Sequence, residues 1–333
     1  MLKFKFIGLI VFSITLGYRD IPDIVTKVGT AAAPWLKIET GIRAVGMSGA
    51  HTAAGRGLSS ASYNPASLGY IEDQEIVFNK TNYLAGISHN IIGYAKKISS
   101  TDIVGFHAFY LDSGEMIRRT VENHNAGFFR VYNVALRGTY TKIFTDRLKV
   151  GFSLKYIRED IWTTYMQAVA VDIGSNFNTG VYGFILGMSV SNFGPDVKFS
   201  GPGLIAESSD EGDDYEGKTE FYPLPLTFRL GIENQIIGGA NTDAIVLSDT
   251  HSLTLALDGI KPLDYSVYAA FGAEYSWNKL AFVRMGTHFN HDTAGLSFGL
   301  GVNYMGLKFD YALTQYGDLG NTGQFGIEWE IGQ

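Results

Sequence analysis

From about residue 75 onward the chain alternates apolar and polar positions with a period of two. Leu300, Val302 and Tyr304 alternate with Gly301 and Asn303, and Leu307, Phe309, Tyr311 and Leu313 with Lys308, Asp310 and Ala312. Leu253, Leu255 and Leu257 stand against Ser252, Thr254 and Asp258, and Val150, Phe152, Leu154 and Tyr156 against Gly151, Ser153 and Lys155. The same holds for Leu226, Phe228, Leu230 and Ile232, and at the end for Phe325, Ile327, Trp329 and Ile331. Each run has one apolar face and one face carrying charge or glycine, which marks a strand between two unlike environments. The runs are about 9 to 12 residues long, roughly twice a sandwich strand and the right length for a tilted strand crossing a bilayer.

The pattern predicts about fourteen strands, near 75–82, 88–98, 102–111, 130–143, 148–158, 166–177, 182–193, 225–236, 251–260, 266–276, 279–288, 294–304, 306–316 and 323–332. An even number suits a closed bacterial barrel, with short turns on the periplasmic side and longer loops outside. Short connections follow the even strands, at 99–101, 145–147, 178–180, 277–279 and 305–306. Long or medium ones follow the odd strands, above all 112–129 and 194–224, and only 237–250 breaks the parity. Tyr110, Tyr140, Tyr156, Tyr165, Tyr275, Trp277 and Tyr316 fall near proposed strand ends, where interfacial aromatic girdles sit. The fold class read here is all-β: a transmembrane antiparallel β-barrel. A secreted β-sandwich shares the alternation, but would extract without detergent and keep its gel mobility on heating.

Composition sharpens the picture. Aromatics make up 14% of the 333 residues, and there are 40 glycines against 8 prolines, a balance that favours strands. The absence of cysteine removes disulfides, thiolate metal sites and thiol catalysis. A net charge of −7 gives no support to a nucleic-acid partner. Lys3 and Lys5 precede the apolar run 6–17, which has the shape of a secretory signal. The expected division is a signal peptide at 1–17, an N-terminal hatch or plug at 18–74 and an outer-membrane barrel at 75–333.

The hatch follows from barrel width. About fourteen strands enclose a lumen too wide for their own side chains to fill, and the preceding segment contains GIRAVGMSGAHTAAGRGLSSAS, residues 41–62, rich in small residues. Such a segment can lie close against a wall, with inward Arg137, Lys155, Asp172, Arg229, Asp258 and Arg284 available to its backbone amides. It ends in Asn64-Pro65, where Asn64 suits an N-cap, Pro65 the first helical position and Gly69 the stop of a turn spanning 65–68.

Trp35-Leu36-Lys37-Ile38, Gly41-Ile42-Arg43-Ala44 with Met47-Ser48-Gly49-Ala50, and Tyr63-Asn64-Pro65-Ala66-Ser67-Leu68 resemble the N-terminal region of the PorV/PorQ group within the FadL-like outer-membrane barrels. Pro223 to Gly231 also resembles that group. The resemblance implies a 14-stranded barrel with an N-terminal hatch in the bacterial outer membrane, and singles out Gly41, Arg43, Met47, Gly49, Asn64, Pro65 and Leu68 as the hatch motif. It implies a part in type IX secretion, with exported cargo proteins or secretion-machinery components as partners beside outer-membrane lipid. The alternative it implies is a FadL-like channel for long-chain fatty acids or other hydrophobic small molecules.

Chemistry is sparse along the chain. His288 and His291 could form a metal pair, but strand spacing would put them on opposite faces. His107, Ser153 and Ser297 are proposed as inward-facing without a spacing that pairs them, so an enzyme acting on outer-membrane lipid is the least supported reading. No cofactor or metal is expected, and the acidic stretch 208–220 lacks the ordered ligand spacing of a calcium loop. The outer loops carry more: Arg118, Arg119, Phe128, Phe129 and Arg130 make one basic and aromatic, while the acidic other includes Phe221 and Tyr222. These residues are candidates for docking or gating.

Overall fold

The computed structural model describes residues 27–207, 214–216, 219–239 and 242–332; the proposed signal peptide and most of the acidic stretch lie outside them. Fourteen antiparallel strands form the wall: β1 (Gln74–Asn82), β2 (Ser88–Lys97), β3 (Asp102–Asp112), β4 (Val131–Ile143), β5 (Leu148–Ile161), β6 (Thr164–Asn178), β7 (Phe184–Phe193), β8 (Thr227–Gly238), β9 (His251–Pro262), β10 (Tyr268–Trp277), β11 (Ala281–Phe289), β12 (Leu296–Tyr304), β13 (Leu307–Gln315) and β14 (Asn321–Ile331). Each pairs with its sequence neighbour, and β1 pairs with β14 from Gln74↔Ile331 to Asn82↔Gly323, which closes the barrel and leaves no sheet edge. Among the described residues no helix is long and apolar enough to cross a membrane; the strands do so.

The two faces follow the alternation. Phe152, Leu154, Ile173, Met188, Leu230, Val283 and Leu300 are exposed on the outside, whereas Asn133, Arg137, Ser153, Asp172, Asp258 and Arg284 are buried inside. Polar groups are therefore kept out of hydrocarbon and turned into the lumen, as a spanning barrel requires. Tyr110, Tyr140, Tyr165, Tyr275 and Trp277 lie exposed near strand ends. Tyr156 is exposed nearer mid-strand, opposite Leu136 and Val169. Tyr316 is half-buried and meets the Tyr83 ring at 6.0 Å.

One connection departs from expectation. The run expected to be a medium loop between residues 158 and 166 is strand on both sides, and only Trp162 and Thr163 turn the chain from β5 to β6. Trp162 takes a left-handed φ of 55°, which lets a tight hairpin carry the ladder beyond its neighbours.

Residues ahead of β1 pack against the inner wall in short helical pieces: a 3-10 turn at Pro34–Lys37, an α-helical turn at Ile42–Gly46, and 3-10 helices at Leu58–Ser62 and Pro65–Tyr70. Lys27 to Thr30 are exposed. Ala32 N–H then donates to Pro223 C=O of the long outer connection at 2.9 Å, and Leu58 N–H meets Glu75, at the other end of the wall, at 3.0 Å. The segment thus crosses the lumen from the outer mouth to the rim where β1 begins.

Candidate functional site

The lumenal segment is fastened along its length. Met47 sits in a notch between Gly272 of β10 and Gly286 of β11, where a Cβ would lie 2.6 Å and 2.4 Å from Met47 atoms; both wall positions must be bare for the backbone to come so close. Gly41 and Gly49 take φ values of 84° and 71° that admit glycine readily. Arg43 reaches Glu274 of β10 through Nε, 3.0 and 2.9 Å from the two carboxylate oxygens, and through Nη2 at 2.8 Å, while its Nη1 donates to Ala54 C=O at 2.6 Å. Glu274 also accepts from Arg284 Nε at 2.6 Å, and Arg284 goes on to Asp310. Leu68 is buried with Leu58, Ala61, Ile71, Val77, Ala95 and Ile103.

Asn64 caps the last helix as its residue type suggests: its Oδ1 accepts from Ala66 N–H at 3.0 Å, and Nδ2 donates to Thr52 C=O at 2.8 Å and Ser175 C=O of β6 at 3.0 Å. Gly69 does not end that helix. The helix runs to Tyr70 and Ile71 closes it in extended geometry, because Ile71 is held in the apolar cluster around Leu68. Below it, Arg56 and Lys149 flank the Tyr70 ring, each 4.1 Å from its centroid, and Arg56 pairs with Glu233 at 2.5 Å.

Of the six inward wall residues offered to the segment's amides, two reach its backbone. Asp258 Oδ2 accepts from His51 N–H at 3.0 Å, Thr52 N–H at 2.9 Å and Thr52 hydroxyl at 2.6 Å, and Arg229 lies 3.4 Å from Gly49 C=O. Arg284 is committed to Glu274 and Asp310, and Lys155 pairs with Asp172 at 2.8 Å. Asp172 also accepts from Asn192 N–H at 2.7 Å. There the β6–β7 register slips between Val171 and Ile173, and Asn192 has φ 63°, so the carboxylate satisfies a backbone amide that the bulge frees. Arg137 donates to His107 Nδ1 at 3.0 Å.

Towards the outer end the lumen is filled by apolar side chains. Ala32, Ala33 and Trp35 of the segment, Val197 and Leu224 of the long connection, and Ile91, Phe109, Leu111, Ile157 and Met166 of the wall form one buried cluster, against which Leu36, Ile38, Phe199 and Tyr222 pack. His89 stacks on Phe109 at 6.2 Å and meets Trp35 edge-on at 6.0 Å. This inward aromatic group was not legible beforehand, because β3 carries Phe106 and Tyr110 outward and Phe109 inward. Beside this cluster lies a cavity of about 70 Å³.

Beside this cavity Glu39 meets His288 Nε2 at 3.1 Å. Burial would push the Glu39 carboxyl up, but the His288 imidazole and Arg229 hold it below the usual carboxylate value. His288 and His291 do not face opposite ways: Asn290 has φ 60° and turns the chain, bringing the two rings to 5.4 Å. His291 Nδ1 accepts from Thr293 and Ala294 N–H at 3.2 and 3.0 Å, and among the described residues no three side chains gather that could hold a metal ion. Ser153 and Ser297 are inward and tied to hydroxyl partners, Thr139 at 2.8 Å and Thr314 at 3.0 Å.

A larger concavity, about 340 Å³, opens on the outer rim and is lined by Glu115, Phe128, Phe129, Arg130, Tyr132, Asp160 and Trp162. The first long connection reaches it as a hairpin in which Met116 and Ile117 pair with Phe129 and Phe128. Arg130 bridges Asp112 at 3.4 Å and Glu115 at 3.0 Å, and the Arg118 guanidinium lies 4.5 Å from the Trp162 ring centroid. Arg119 is exposed next to it. Three candidates from the sequence, Phe128, Phe129 and Arg130, thus meet in one pocket, and Trp162, which no sequence pattern singles out, completes it. The second long connection meets the β5–β6 hairpin that carries Trp162, through the backbone pair Tyr165↔Ser200. Of its candidates, Tyr222 pairs with Val197 and packs on Phe199, whereas Phe221 is exposed, with the Lys198 ammonium 5.8 Å from its ring centroid.

A family model described as "Type IX secretion system protein PorV" matches residues 23–204, more than half of the chain. The chain belongs to the PorV family. Its closed barrel and this membership make it a bacterial outer-membrane protein. In fold it is similar to the CymD monoaromatic hydrocarbon channel (TM-score 0.57, 12% identity, 87% of this chain and 96% of that one). A FadL homologue of Pseudomonas aeruginosa (0.53, 12%, 88% and 99%) and the toluene transporter TodX of Pseudomonas putida (0.52, 12%, 86% and 96%) are similar too. No curated protein matches the chain. At this identity the structural likenesses speak for the barrel alone; the PorV match speaks for the family.

Proposed function

We propose that this PorV-family barrel serves type IX secretion as a sealed carrier, receiving exported protein on its outer face and presenting it for surface attachment. The observation that carries the reading is the contrast between the lumenal cavity and the pocket on the outer rim. The lumenal cavity beside the Trp35, Phe109 and Leu224 cluster holds about 70 Å³, far below the roughly 300 to 1,000 Å³ of a small-molecule site. The outer pocket offers about 340 Å³ lined by aromatic and charged side chains, the composition of an interface centre. In this reading the segment at 18–74 is a permanent hatch, with Gly41, Arg43, Met47, Gly49, Asn64, Pro65 and Leu68 as its fastenings, and the barrel is a carrier with no catalytic residue. FadL-like uptake of a hydrophobic solute would require the apolar cluster to part.

The test is surface delivery of a type IX cargo protein in cells carrying Phe128→Ala/Trp162→Ala. The reading expects delivery to fall at least tenfold while the barrel still shifts on gels after heating. Normal delivery together with lost uptake of a hydrophobic solute would favour the channel instead.

A further inference from the structure

The 70 Å³ cavity holds an imbalance of charge that the secretion reading does not use. Four cationic side chains line it: Lys37, Arg137, Lys155 and Arg229. Lys37 contacts Asp264 at 2.5 Å and Lys155 contacts Asp172 at 2.8 Å. Glu39, the carboxylate of the lining, is engaged by His288. The two guanidiniums have no carboxylate in contact among the described residues. Arg137 is 2% exposed and has His107 Nδ1 and the face of Phe109, 4.9 Å from its ring centroid, as neighbours. Arg229 has Gly49 C=O at 3.4 Å and the Tyr63 ring at 5.0 Å. A fully buried guanidinium with no carboxylate in contact, as at Arg137, is costly; Arg229 is only half-buried and shares the field of Glu39 and Asp258.

Unused hydrogen-bonding atoms coincide with these charges. Arg137 Nε, Trp35 Nε1 and both ring nitrogens of His89 are buried without a partner, and all three residues line the cavity. Arg137 Nε and Trp35 Nε1 are obligatory donors and a neutral His89 supplies a third, so the set calls for an acceptor and the charge calls for an anion. Volume permits it: about 70 Å³ is several times the roughly 10 to 15 Å³ that holds one water on the same measure. A halide or a small oxyanion fits.

We propose that the outer lumen contains a specific site for a small monovalent anion, held between Arg137 and Arg229 with Trp35 and His89 as hydrogen-bond donors. The anion would neutralise the lumen beneath the apolar cluster and hold the Trp35 end of the segment in place. The probe is bromide. Crystals of the purified full-length barrel grown in sodium bromide should show an anomalous peak within hydrogen-bonding reach of both guanidiniums. The unfolding midpoint in detergent should be several degrees higher in chloride or bromide than in gluconate at equal ionic strength. Arg137→Gln should abolish that difference, and Trp35→Phe, which keeps the ring and loses the donor, should reduce it if the glutamine variant does not fold. Bromide peaks confined to the surface, or equal midpoints in gluconate and bromide, would mean that water alone satisfies these groups and would overturn the proposal.

Discussion

Neutralising Glu274 should loosen the lumenal segment. This carboxylate takes three of the four hydrogen bonds that Arg43 makes and one from Arg284. In Glu274→Gln the shape is kept and the charge is lost. Arg284 keeps Asp310, but Arg43, with a side chain only 21% exposed, has no other carboxylate in contact among the described residues. Removing one partner of a buried ion pair costs about 3 to 5 kcal/mol; because Arg284 retains its second partner, the lower end, about 3 kcal/mol, applies. That corresponds to roughly a 100-fold rise in the population of an opened segment. Limited trypsin digestion reads it directly, since Lys37, Arg43 and Arg56 lie in the segment and cleavage follows the opened population when reclosing is fast. The double variant Arg43→Met/Glu274→Gln should return to within about 1 kcal/mol of the parent, because an apolar replacement of a buried pair is often neutral. Equal digestion rates for the parent and Glu274→Gln, or a double variant no slower to digest than the single one, would refute the reasoning.

Other consequences can be measured independently. Asn64→Ala removes a cap and two donations to carbonyl groups, Thr52 and Ser175. It should lower stability to urea by about 2 to 4 kcal/mol, summed from a cap and unsatisfied buried carbonyls. Burial, helped by Arg43, holds His51 neutral well below the ordinary histidine value. The unfolded chain therefore takes up a proton that the folded one refuses, and this stability, present above about pH 6.5, is lost as pH falls. His51→Gln should flatten the decline between about pH 6.5 and 5 by up to roughly 1.4 kcal/mol per pH unit, seen as a smaller shift of the urea midpoint. The chain has no cysteine, so Val28→Cys can be labelled selectively. An impermeant maleimide should modify it on intact cells and leave Ser99→Cys, in a periplasmic turn, unmodified until the membrane is opened.

The wall was legible because each strand has one environment on either side, so a two-residue period survives in side-chain type. Where both faces carry aromatics, as with Phe106, Phe109 and Tyr110 of β3, that period gives no direction, and the Trp35, His89 and Phe109 group was hidden. The Asn64 cap was readable since its partner, Ala66 N–H, lies two residues away. Glu274 was not, because its tie to Arg43 spans 231 residues and depends on which strands stand opposite one another across the lumen. Backbone conformation hid two further features. A left-handed Asn290 turned His291 back toward His288, and a left-handed Trp162 made a two-residue hairpin where a loop was expected. Asp258 and Arg229 were correctly offered to the segment's backbone, while Arg137, Lys155, Asp172 and Arg284 found other partners.

Photo-crosslinking in living cells tests the central claim most directly. A photoreactive side chain placed at Trp162, in the outer pocket, should capture the C-terminal domain of an exported type IX cargo protein, and the same group at Phe109, inside the lumen, should capture only neighbouring parts of this barrel. Crosslinks from Phe109 to a hydrophobic small molecule, with none from Trp162 to exported protein, would contradict the sealed-carrier account.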